Sequence, residues 1–441
     1  MSASTHVSLE DTAPNQTLSD RAQQVAALTG LRGFAALMVV VVHVSVRTDY
    51  PWVGLTGYGP VSLFVLSGFL LYRPWARWTL RTSDRPDVRV FARRRVARIF
   101  PAYLVVLFVV ALIYPVSRPD GVEGWLYAIT LTWIYEPGQF PTALAQTWSL
   151  ATELSWYVAL PVMAGVTGWL ARRRSQRAGF WLATSLIMLS LPVTVAWRWW
   201  VRENELGIHF TYSFWLPGFL VCFAGGALVA LFAEGLRNGV VTMPRFRRLA
   251  ADPWALLLLA TAVALIATST LGGPDGYVTR NFSQEQVRFA GATFVAITLL
   301  VVVVFGAMSS PFTRLLSTAW FNAIGRWSYG IYLWHLPLIT ILDDQLSFPD
   351  GVGSLFIRLA WVVGLSIPLG AATYAWIEKP AIEWSHQSTK GRTAASAHRN
   401  ERGLRIADTT EPTPSATSAS TTTAQPADAP SASRPTSTPG A

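Results

Sequence analysis

A helix crosses the ~30 Å hydrocarbon core of a bilayer in about 20 residues. This chain carries ten apolar runs of that kind, at residues 27–46, 58–72, 99–115, 148–171, 179–199, 210–233, 253–271, 289–308, 323–342 and 353–377. The second and third are short. Between the third and fourth, GWLYAITLTWIY is apolar over only 12 residues and reads as an interfacial or re-entrant piece. The pattern predicts an all-α fold, a polytopic membrane helix bundle of about ten transmembrane helices. Composition agrees: charged residues make up 14% of the chain against roughly 25% in soluble domains, and mean hydropathy is +0.35. The net charge of +10 raises the question of nucleic acid. The basic residues lie between apolar runs, however, and not on a soluble face, so membrane lipids and not nucleic acid are the expected surroundings.

Arginines orient the bundle. Nineteen fall in loops 73–98, 172–177, 234–252 and 309–326, whereas the alternating loops hold six: Arg47, Arg118, Arg198, Arg202, Arg280 and Arg288. Basic residues favour the cytoplasmic side, which puts both termini there in a multi-pass protein of the cell membrane. Residues 1–25 form a polar N-terminal segment without the pattern of a cleaved signal peptide. Residues 26–385 form the transmembrane domain. Residues 386–441, rich in Ser, Thr, Pro and Ala, hold too little apolar surface to offset their ordering entropy and are expected to be disordered. The single cysteine, Cys222, excludes an internal disulfide framework and a Cys-rich metal site.

The informative residues are the polar ones inside the apolar runs. In LRGFAALMVVVVHV (31–44), Arg32 and His43 stand 11 residues apart, three helical turns plus about 20°, hence on one stripe of the first span and about 16 Å apart. Ionisable groups in a span face protein or a water-filled interior and mark function by default; the plainer alternative is a snorkelling arginine and a histidine bonded to a carbonyl. Glu153, in TWSLATELSWYVALP, counts about six residues inward from the outer end of the fourth span. His43 counts about four residues inward from the outer end of the first. Similar depth lets the carboxylate fix the imidazole tautomer and raise its basicity, as a general base requires. His335, in IGRWSYGIYLWHLPL, belongs to the outer half of the ninth span and is a candidate for the same cavity. For both, the alternative is a set of interhelical hydrogen bonds. In FARRRVARIFPAYL, Arg95 and Arg98 share a helix face and, with the adjacent Arg94, can hold phosphates bidentately; a plain topology signal is the competing reading. Ser67-Gly68 in VSLFVLSGFLLYRPW allows close helix approach. No P-loop, HExxH or GxGxxG is present, and no metal site is indicated.

Together these stretches resemble the acyltransferase-3 family of integral-membrane acyltransferases, which includes polysaccharide and lipopolysaccharide O-acetylases. The likeness runs over about 28–384. It rests on Arg32-x10-His43, LFVLSGF, RRRVARIFPAY, TWSLATE and WSYGIYLWH in order, with Glu378-Lys379-Pro380 closing the last span. The resemblance implies ten helices in a bacterial membrane and transfer of an acyl group, usually acetyl from acetyl-CoA as donor substrate, with no tightly bound cofactor. The acceptor is a hydroxyl of a cell-wall glycan, an exported polysaccharide or a macrolide-type small molecule. On this reading the donor phosphates rest on Arg94, Arg95 and Arg98 with Arg32 at the mouth. His43 deprotonates the acceptor or carries the acyl group briefly. Glu153 orients His43, and Trp148, Ser149, Ser67 and His335 line the substrate space. A secondary transporter or lipid flippase is the alternative class; it would also use buried ionisable groups, but it usually shows an inverted repeat, and none is visible.

Overall fold

The computed structural model describes residues 18–55, 57–136, 141–204 and 207–387. Residues 1–17 of the polar N-terminal segment and 388–441 of the expected disordered tail lie outside the described residues. Fourteen α-helices follow in order among the described residues: α1 (Leu18–Ser45), α2 (Tyr58–Thr79), α3 (Val88–Ile113), α4 (Gly121–Thr130), α5 (Trp148–Arg172), α6 (Gln176–Met188), α7 (Ser190–Glu203), α8 (Leu216–Arg237), α9 (Pro244–Ala251), α10 (Pro253–Ala267), α11 (Phe282–Phe305), α12 (Pro311–Leu316), α13 (Ala319–Gln345) and α14 (Val352–Thr373). No strand occurs among the described residues.

Each of the ten apolar runs falls on a helix, with the fifth broken into α6 and α7 at Leu189. Among the described residues eight helical segments are long and apolar enough to cross a membrane, and α9 with α10, bent by 81°, make a ninth. The remaining run lies on α13, whose 27 residues span about 40 Å. Its apolar character is diluted by Arg326 and by the polar and aromatic residues of RWSYGIYLWH. The second and third helices, short as apolar runs, have 22 and 26 residues. Their arginine-bearing ends remain helical, which hydropathy alone does not register. GWLYAITLTWIY becomes the 10-residue α4 and a 3-10 turn.

Local chemistry sets the ends. Asp87 caps α3 by accepting from the amides of Arg89 and Val90 at 2.7 and 3.2 Å, and Asp252 caps α10 ahead of Pro253. Asn281 and Gln284 form a reciprocal capping box on α11.

Two close helix pairs organise the interior, α1 on α13 and α2 on α8. A methyl group at Gly325 would collide with the Thr29 carbonyl, and one at Gly68 with the Phe223 carbonyl, so only glycine permits these approaches. Loop arginines also have structural partners. Glu234 on α8, buried, accepts from Nε of Arg73 and Arg77 at 3.0 and 3.2 Å and pairs with Arg237 at 3.6 Å.

Candidate functional site

The first-span stripe survives intact in α1 and has two ends of different chemistry. At one end lies a cavity of about 100 Å³. Its polar lining includes Arg32 from α1, Ser67 from α2, Arg95 and Arg98 from α3, and Ser149 and Glu153 from α5. Ser328, Tyr157, Tyr329 and Tyr332 complete the polar wall. Glu153 Oε1 accepts from Ser67 Oγ at 2.6 Å, and the Tyr157 hydroxyl, one turn further along α5, faces the same carboxylate. Arg95 lies over the rings of Phe91 and Tyr157, 5.8 Å from each centroid. Arg98 Nη1 is 3.2 Å from Glu378 Oε2, whose residue is 1% exposed. A π-turn at Tyr374–Glu378, continuing α14, carries that carboxylate. Three arginines therefore line the space with one carboxylate, and even after Arg98 is assigned to Glu378 the remaining charge is positive. Guanidinium groups have five donors each, so one ion pair leaves Arg98 further donors for an anion.

At the other end of the stripe, His43 meets His335 and not Glu153. His43 Nδ1 is 2.8 Å from the Val39 carbonyl and 3.3 Å from His335 Nε2. His335, fully buried, places its Nδ1 2.6 Å from the Tyr332 carbonyl. A carbonyl oxygen only accepts, so the proton of each ring sits on Nδ1. His335 Nε2 then accepts a share of the His43 Nδ1–H bond, and His43 Nε2 keeps its lone pair. This is the tautomer a general base needs. It is set here by two backbone carbonyls and a second imidazole.

Ser149 and Tyr332 separate the two ends. Their hydroxyls are 2.8 Å apart, and the Tyr332 hydroxyl also donates to the Gln146 carbonyl. Both residues line the cavity, while the Tyr332 backbone holds His335. Ala36, also in the cavity wall, is seven residues below His43, about 10 Å along the helix.

The expected neighbourhood of Glu153 and His43 is thus corrected: no hydrogen bond or ion pair joins them among the described residues. Depth counted from an outer helix end fails because residues Thr142–Thr147 dip into the protein as a 3-10 segment. Gln146 Nε2 there donates to the Leu333 carbonyl at 3.0 Å, so α5 starts deep and Glu153 lies deeper still. Arg94 is not among the cavity residues, being one helical step, about 100°, from Arg95. Trp148 is not among them either; it stacks on Phe214 at 4.7 Å and packs against Phe219. His335 is brought to His43 and not to the cavity wall. Arg32, Arg95, Arg98, Glu153, Ser67 and Ser149 do come together. Tyr157, Tyr329, Tyr332 and Glu378 were not singled out as site residues from sequence. Glu378 stood in a quoted motif, and the WSYGIY stretch held two of the tyrosines.

Comparison with known proteins adds an independent finding. A family model described as an acyltransferase domain matches residues 25–375. The acyltransferase MdmB of Streptomyces mycarofaciens is 26% identical over 396 residues, covering 82% of this chain and 92% of that protein. The putative peptidoglycan O-acetyltransferase YrhL of Bacillus subtilis is 27% identical over 375 residues, 81% of this chain and 54% of its own. The O-acetyltransferase OatA of Staphylococcus aureus is 24% identical over 374 residues, 80% of this chain and 56% of its own. The chain therefore spans about half the length of the latter two. No solved structure matches it.

Proposed function

The chain belongs to the acyltransferase domain family, and on that premise we propose that it is a membrane O-acyltransferase that moves an acetyl group from acetyl-CoA to a hydroxyl of a glycan or glycoside. The observation that carries this reading is the two-ended stripe of α1, with an arginine-lined cavity at Arg32 and a histidine pair with a free Nε2 at His43. The donor phosphates bind at Arg95 and Arg98 on the cytoplasmic side, with Arg32 deeper on the path of the thioester arm. The thioester passes the Ser149–Tyr332 wall to reach His43. Nε2 of His43 takes the proton of the acceptor hydroxyl as its oxygen attacks the thioester carbonyl. The C–S bond then breaks, and the proton goes to the departing sulfur, leaving the ester and the free thiol. The imidazolium formed on the way is held by the Nδ1–H bonds to Val39 and His335. Glu153, fixed by Ser67, balances the charge of Arg32 and Arg95 when no donor is bound.

The glycan acceptor rests on the name of YrhL, and acetyl transfer to oxygen on the names of YrhL and OatA. The test is transfer of labelled acetyl from acetyl-CoA to a peptidoglycan disaccharide by the purified full chain in nanodiscs. Ester formation that is lost in His43→Ala is expected; a wild-type protein that consumes no acetyl-CoA with any hydroxyl acceptor would overturn the reading.

A further inference from the structure

The α10–α11 connection is held by an unusual concentration of arginine bonds. Arg280 donates from Nε and Nη2 to the Pro274 carbonyl at 2.9 and 2.5 Å, and from Nη2 to the Gly276 carbonyl at 2.7 Å. Arg288 on α11, 5% exposed, donates to the carbonyls of Gly272 and Gly273 at 3.1 and 2.9 Å and pairs with Asp275 at 3.0 Å. Gly273 and Gly276 have φ of +74° and +88°, a conformation that suits glycine. Two arginines thus lock the loop into one shape, and the residue it displays is Tyr277. The residue is exposed, yet its ring centroid is 6.1 Å from that of His43. Arg47, four residues past His43 and just beyond the end of α1, pairs with Asp343 at 3.6 Å, and Asp343 also pairs with Arg358.

We propose that Tyr277 is the acceptor platform: its ring stacks against the C–H face of a sugar ring, and the Arg47–Asp343 pair bonds that sugar's outer hydroxyls while one hydroxyl meets His43. An apolar face with a polar edge is what separates a sugar from an open-chain alcohol, and this corner offers both surfaces within reach of the base. Loss of such a contact should lower affinity by up to about tenfold, equivalent to about 1.4 kcal/mol. The clamp makes sense on this view, since a platform that binds by stacking loses affinity if it must first be ordered. The inference deepens the acyltransferase reading and rests on it for the role of His43.

The experiment measures binding and transfer separately on the full chain in nanodiscs. The probe is the N-acetylglucosaminyl-N-acetylmuramic acid disaccharide, titrated without donor. Tyr277→Ala should weaken its binding about five- to tenfold. Tyr277→Phe and Tyr277→Trp should restore it to within about twofold, with acetyl-CoA affinity equal in all four proteins. Equal disaccharide affinity in wild type and Tyr277→Ala, or no disaccharide binding by wild type, would overturn the platform. Tyr277-dependent binding without any acetyl transfer would leave the platform standing and sink the acyltransferase reading instead.

Discussion

The two ends of the α1 stripe solve the problem of a polar group inside a membrane in opposite ways. At Arg32 the charge is met by charge: arginines and carboxylates from α3, α5 and the end of α14 gather round a space, with positive charge in excess. At His43 two imidazoles lie close together and are held by backbone carbonyls, with no carboxylate bonded to either ring among the described residues. The first arrangement suits holding an anion and the second suits moving a proton. The difference explains why a single helix carries both residues. Arg32 and His43 stand about 16 Å apart along one helix, with Ser149 and Tyr332 between them, so on the proposed function binding and chemistry are separated.

The largest expected effect comes from breaking the proton-handling end. His43→Ala should lower turnover ~10²–10⁴-fold, the usual range for loss of a general base, with membrane insertion near normal. Turnover and expression are measured in the same membranes, and a variant within a few-fold of wild type would remove His43 from the chemical step. Next comes the anion-binding end. Arg95→Ala should raise the acetyl-CoA KM by roughly ten- to a hundredfold, the worth of a charge-assisted hydrogen bond or two, with kcat little changed. Arg98→Ala is a different experiment, because it strands Glu378 in the interior and should destabilise the fold by ~3–5 kcal/mol. Arg98→Ala with Glu378→Gln should recover stability but not donor affinity, which thermal unfolding and KM report separately.

A smaller effect sharpens the comparison from within the histidine end. His335→Phe fills the space but removes one acceptor for the His43 Nδ1 proton, while the Val39 carbonyl keeps the tautomer. Turnover should fall about two- to tenfold with donor KM unchanged. A loss as large as that of His43→Ala would make His335 the base. The smallest effect on turnover, none, is expected for Asp120→Cys and Ser175→Cys made in a Cys222→Ser background. Labelling of the first but not the second from outside intact cells would assign the histidine end to the outer face. The reverse pattern would put the donor cavity on the wrong side for a cytoplasmic acyl-CoA.

Helical period alone was enough to align Arg32 with His43 and Arg95 with Arg98, because a 3.6-residue repeat survives packing. The helical positions of the apolar runs were equally legible, since a bilayer leaves few ways to satisfy a backbone, and eight or nine of the helical segments among the described residues are long and apolar enough to cross it. What escaped is what depends on the path of non-helical chain. The 3-10 segment at Thr142–Thr147 shifts the depth of Glu153, and the π-turn at Tyr374–Glu378 carries the partner of Arg98. The clamped loop that brings Tyr277 to His43 crosses more than 200 positions of sequence. None of these leaves a periodic trace. His335 was visible as a buried histidine, but its pairing with His43 depends on the close approach of α1 and α13 through Gly325.

The central claim is that one end of the stripe binds and the other reacts. Its most direct test measures donor affinity and single-turnover acetyl transfer at saturating donor, side by side, for His43→Gln and Arg95→Ala. The account predicts a crossed result: His43→Gln binds acetyl-CoA like wild type and transfers nothing, while Arg95→Ala binds it weakly and, once saturated, transfers at the wild-type rate. Variants that move both quantities together, or a His43→Gln protein that transfers normally, would contradict it.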